Sequence, residues 1–132
     1  MKNIKVVILI VIAVFFTTAC RDEIPTGGSL TIIGHPSNVR GVVVYNDSYP
    51  TTLMQLNSAV SMSNAIAGSD DYSSPFKLTN KDNSPFRGSG TFFVVMLIGS
   101  STIHYLPGVD FRNGFATIDF EEMFLATDLP LW

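Results

Sequence analysis

Val109-Asp110-Phe111-Arg112-Asn113-Gly114-Phe115-Ala116-Thr117-Ile118-Asp119-Phe120 alternates apolar and polar side chains on both sides of an Asn-Gly pair. Successive side chains of a strand point to opposite faces, so this alternation sorts one set towards a core and the other towards water. Asn113-Gly114 supplies the two positive φ angles that a two-residue type I′ turn requires. The stretch is therefore predicted to be a hairpin, with Arg112 opposite Phe115, Phe111 opposite Ala116 and Val109 opposite Ile118. Its core face is Val109, Phe111, Ala116, Ile118 and Phe120, and its wet face is Asp110, Arg112, Thr117 and Asp119.

The same reading extends outward along the chain. Phe92 to Ile98 is an unbroken apolar run bounded by Gly90 and Gly99, which predicts a strand covered on both faces at the centre of a sheet. Ser29 to Ile33 and Gly41 to Tyr45 are rich in Val, Ile and Thr and are separated by the turn residues Gly34 to Asn38. Further strands are predicted at Phe76 to Leu78 and Thr102 to Tyr105, between loops at Asp70 to Ser74 and Asn80 to Ser89. In Thr51 to Ala67, Leu53, Leu56, Val60 and Ile66 fit neither the strand nor the helix period, and strands with one helical turn are expected. About seven short strands with turn signals between them predict an all-β fold, a small antiparallel β-sandwich.

The N-terminus carries a different signal. Met1-Lys2-Asn3-Ile4-Lys5 is a short basic leader, Val6 to Phe16 is apolar, and Thr17-Thr18-Ala19 are small residues before Cys20, the single cysteine of the 132 residues. This is the order of an export signal. Val6 to Ala19 would span about 21 Å as a helix against roughly 30 Å of hydrocarbon, too short for a permanent span. Ala19-Cys20 resembles the lipobox of bacterial lipoproteins, with Thr17 where most lipoboxes carry a larger aliphatic. That resemblance implies cleavage before Cys20 and diacylglycerol on its thiol, so that the membrane is a partner through lipidated Cys20. The chain is thus expected to divide into a signal peptide at 1–19, a lipidated tether at 20–28 and one β-sandwich domain at 29–132. Loss of Lys2 and Lys5 leaves six basic against eleven acidic residues, a formal net charge of −5. No basic stripe remains to hold nucleic acid.

Candidates for chemistry are few. His35 and His104 stand nearly seventy positions apart with no cysteine between them, which is no zinc pattern. No serine sits in a Gly-x-Ser-x-Gly elbow, and no Gly-rich phosphate loop follows a strand. Asp47, Asp70, Asp71 and Asp82 lie in polar loops without EF-hand spacing and read as solvated carboxylates. Asn46-Asp47-Ser48 matches a glycosylation sequon and reads as a turn. No catalytic residue, metal ligand or cofactor is predicted, and the chain is not expected to be an enzyme.

Ser29 to Ser37, Gly90 to Ile98 and Val109 to Phe120, in this order, resemble the repeated domain of about a hundred residues found in treponemal exported proteins and lipoproteins, here in a single copy. The resemblance implies an envelope-associated β domain without a catalytic motif. Two functions remain: a binding or adhesion module for a protein or glycan partner, or an accessory subunit of a larger envelope complex. The last residues, Leu125 to Trp132, are too apolar for a solvated tail. They are expected either to fold back, with Leu131 and Trp132 closing one end of the sandwich, or to dock on a partner.

Overall fold

The computed structural model describes residues 28–132; the expected export signal at 1–19, the expected lipid site Cys20 and the expected tether as far as residue 27 lie outside them. The described residues form an all-β sandwich. In chain order its strands are β1 (Ser29–Ile33), β2 (Val39–Asn46), β3 (Ala65–Ser69), β4 (Phe76–Lys77), β5 (Thr79–Asn80), β6 (Gly90–Ile98), β7 (Thr102–Phe111), β8 (Phe115–Asp119) and β9 (Phe124–Leu125). One sheet has the order β4-β1-β8 and the other β5-β3-β2-β6-β7-β9. A short helix α1 (Leu53–Ala59) interrupts the passage from β2 to β3. β7 joins the two strands expected at Thr102 to Tyr105 and from Val109, and the unexpected β5 and β9 are two-residue pairings at sheet edges, too short to leave a pattern in the sequence.

β6 lies inside the large sheet, between β2 and β7, as its unbroken apolar run requires. Phe93, Val95 and Leu97 enter a core with α1 and the C-terminal segment. Val94, Met96 and Ile98 enter a second core with Leu30, Ile32, Phe76 and Ile118 of the small sheet. The large sheet is thus the middle of three layers, and each face has its own cover.

The hairpin is the main correction. Asn113 and Gly114 do have positive φ, 53° and 85°, and Arg112 exchanges both backbone hydrogen bonds with Phe115. Beyond that pair the strands part: β7 stays on β6, with Val109 opposite Phe92, and β8 crosses to the small sheet. There it runs parallel to β1, Leu30 beside Ala116 and Ile32 beside Ile118. Phe111–Ala116 and Val109–Ile118 are therefore not ladder pairs. The predicted faces survive, since Val109, Phe111 and Ile118 are buried while Asp110, Arg112 and Thr117 are exposed. Alternation dictates which side chains are buried, and a hairpin or a corner between two layers satisfies it equally.

The corner is stitched at its outside. Gly114 N–H donates to the Gly88 carbonyl at 2.7 Å and Gly28 N–H to the Phe86 carbonyl at 3.0 Å, while Asn113 N–H donates to Ser89 Oγ at 2.8 Å. Beneath it Phe86, Phe92 and Phe111 meet edge to face, with centroids 5.4–5.5 Å apart, the arrangement that ring quadrupoles favour.

Residues 51–67 differ from expectation, because α1, a 3-10 turn at Met62–Asn64 and β3 share them. Leu53, Leu56 and Val60 are buried on one helical face. The helix is only seven residues long and would be marginal alone, so its free amides need partners. Thr52 Oγ1 accepts from Gln55 N–H at 3.1 Å. The Pro130 carbonyl accepts from Leu53 N–H at 2.8 Å, and that of Leu131 from Met54 N–H at 3.3 Å. The C-terminal segment therefore folds back, yet it does so through backbone and through Leu129, which packs on the core. Leu131 and Trp132 do not close an end: Trp132 is 80% exposed.

Candidate functional site

His35 and three of the loop aspartates are engaged in holding loops. Ser74 N–H donates to His35 Nε2 at 3.1 Å, and His35 Nδ1 lies 2.7 Å from the Pro36 carbonyl, so the tautomer with its proton on Nδ1 satisfies both. Ser74 Oγ donates to the Ile32 carbonyl and accepts from Ile32 N–H. Although close to a histidine, this hydroxyl is bound elsewhere and is not set up as a nucleophile.

The loop aspartates are scattered rather than gathered. Asp71 Oδ2 accepts from Lys77 N–H at 2.9 Å, Asp82 accepts from the backbone and hydroxyl of Ser84, and Asp47 Oδ1 accepts from Gly108 N–H at 2.8 Å. Among the described residues no three His, Cys, Asp or Glu side chains converge to hold a metal. No helix of the described residues is long and apolar enough to cross a membrane. Asn46 ends β2 and is exposed.

His104 lies in β7 against Phe120, ring centroids 4.8 Å apart, with its Nδ1 buried and unbonded. Burial holds this imidazole below its ordinary 6.5, against an opposing pull from Asp128. The unfolded chain then takes up the proton more readily than the folded one, so the group costs no stability above pH 6.5 and lowers it as pH falls through that value. Thermal melts between about pH 7 and pH 5 should show declining stability, and His104→Phe should flatten the decline. An equal slope in the variant would assign the decline to other groups.

What the structure does assemble is an apolar groove of about 500 Å³, with Tyr49, Tyr105, Pro107, Phe124, Asp128 and Leu129 among its walls. Its floor continues the core, since Tyr45, Phe93, Tyr105 and Phe124 follow one another at centroid distances of 6.4, 5.7 and 5.5 Å. Phe124 is nevertheless 52% exposed and Tyr49 66% exposed.

Tyr49 is exposed but held. Opposite Phe93 of β6, strand β7 carries two residues, Pro107 and Gly108, a bulge whose glycine has φ +66°. The Tyr49 ring lies across that glycine, where a Cβ would come 3.0 Å from its hydroxyl oxygen. The hydroxyl hydrogen-bonds Asp47, which raises the pKa of the phenol. Asp47 in turn holds the bulge through Gly108 N–H.

No family model, curated protein or solved structure matches the chain. The groove escaped the sequence reading because its walls come from three separated segments. The one local signal was a Pro-Gly pair between the strands expected at Thr102 to Tyr105 and from Val109, which β7 joins across a bulge.

Proposed function

We propose that the protein is an envelope lipoprotein, held on the membrane by lipid on Cys20, whose β-sandwich is a non-catalytic binding or adhesion module. The observation that carries this reading is the exposed apolar surface around the groove. Met54 is exposed beside Tyr49, both lining a second hollow against α1, and Trp132 follows the Leu131 carbonyl that caps Met54 N–H. Large apolar side chains held out in water on a rigid scaffold favour contact with another molecule. His35, Asp47, Asp71 and Asp82 spend their hydrogen bonds on holding loops. The treponemal resemblance agrees with an envelope location.

A second reading, an accessory subunit of a larger envelope complex, draws on a different feature. Three of the four sheet edges are two-residue strands, whereas β8 is a five-residue edge with no Lys or Pro to discourage pairing. A partner strand added there would suit assembly. Protease shaving of intact cells separates the two: loss of the domain supports the adhesion module, and protection supports the periplasmic accessory.

The anchor has its own test. Cys20→Ser should give an uncut precursor of larger size that incorporates no labelled fatty acid. Normal maturation with label retained would remove the anchor from the proposal.

A further inference from the structure

We infer that the groove beside Tyr49 receives arginine or lysine side chains of a basic, extended protein segment. This rests on the binding-module reading and adds the chemistry of the partner. Tyr49 and Phe124 present aromatic surface to solvent at the groove. Tyr49 is pre-positioned by the Gly108 bulge and Asp47, so little side-chain freedom is lost when a ligand packs on it. The Asp128 carboxylate is exposed at the same wall. Among the described residues no Lys or Arg lines the groove.

The polar groups on its rim narrow the choice of ligand. Thr51 Oγ1 donates to Gln55 Oε1 at 2.9 Å, and the Tyr49 hydroxyl is bonded to Asp47. Those two donors are already engaged, the buried Tyr105 phenol lies under the influence of the Asp128 carboxylate, and Asp128 can only accept. An aromatic face beside an exposed carboxylate matches a guanidinium or ammonium on an apolar stem: the stem covers Phe124 and Leu129, the cation stacks on a ring, and its N–H groups reach the carboxylate. The chain's formal net charge of −3 steers a basic partner towards it and repels an anionic one.

The test titrates the full-length protein in nonionic detergent with fluorescent Gly-Arg-Gly-Arg-Gly, with Gly-Glu-Gly-Glu-Gly as the anionic control and maltopentaose as a neutral glycan. The arginine peptide should bind, with affinity falling as salt rises, and the glutamate peptide should not. Asp128→Asn should weaken binding by roughly tenfold, and Tyr49→Ala by a similar factor, each with unchanged melting temperature. Asp128→Asn is isosteric and exposed, so it reports on binding even if an aromatic variant folds poorly. No binding of the arginine peptide, or binding that both variants leave untouched, overturns the inference. Maltopentaose binding that Tyr49→Ala abolishes also overturns the basic partner while leaving the binding module standing. The module itself fails on the separate result, protection of the domain from protease on intact cells.

Discussion

Gly114→Val is expected to remove a large share of the domain's stability. Two costs fall on the same atom. Gly114 has φ +85°, where a β-branched residue is strained by about 1–3 kcal/mol. A Cβ there would also stand 2.1 Å from the Phe86 carbonyl oxygen and 2.9 Å from Gly28 Cα. Both are backbone atoms, and they are tied in place because Gly28 N–H donates to that same carbonyl. Relief would require separating the start of β1 from the Phe86 segment, and with it the packing of Phe86 on Phe92 and Phe111. The sum should exceed about 4 kcal/mol, a large share of the roughly 5–15 kcal/mol that holds a domain of this size. Thermal and urea unfolding of the full-length protein would measure it. Asn113→Gly is the control, since it keeps the turn, adds no atom and relieves a φ of 53°; it should be close to neutral. A Gly114→Val protein that melts with the parent would mean that the three backbones do not meet at this corner.

The same corner shows what could and could not be read from the residues. Alternation and the Asn-Gly pair are local, and they located the turn, the buried face and the first pair of the hairpin. The route of β8 is not local. Whether a strand continues beside its neighbour or crosses to the facing layer depends on what else can cover Ile118, and the answer, Leu30 and Ile32 of β1, lies more than eighty positions away. Helix α1 fails differently, for its signal was present. Thr52 with Gln55 three residues on is a capping pattern, and Leu53, Leu56 and Val60 fall at helical spacing behind it. Ile66 belongs to β3, and including it in the window obscured the period. The groove has the least local signature. Tyr49, Pro107, Phe124 and Asp128 acquire a common purpose only when a bulge, a two-residue strand and a 3-10 turn at Ala126–Asp128 bring them together.

Removing Leu129 to Trp132 should destabilise the domain by about 2–5 kcal/mol, although the exposed Trp132 side chain contributes almost none of it. Leu129 packs against the core that α1 shares with β6 and β7, and its partial burial should contribute about 1–2 kcal/mol. The Pro130 and Leu131 carbonyls satisfy the amides of Leu53 and Met54, each worth roughly 0.5–1.5 kcal/mol net of water. A seven-residue helix without those acceptors keeps only the Thr52 cap at its N-terminus, so Leu53 and Leu56 would be held in the core less firmly. For a domain of about a hundred residues the loss corresponds to a fall in melting temperature on the order of 10–20 °C. Trp132→Ala separates this account from its rival: the side chain is 80% exposed, so the substitution should leave the melting temperature within a degree or so of the parent. If truncation leaves stability unchanged, the carbonyls do not cap the helix. A large loss in Trp132→Ala alone would mean that the indole is buried after all, closing the end of the sandwich as the sequence first suggested. A large loss on truncation with none in Trp132→Ala assigns the backbone and Leu129 to the fold and leaves the indole free to meet another molecule.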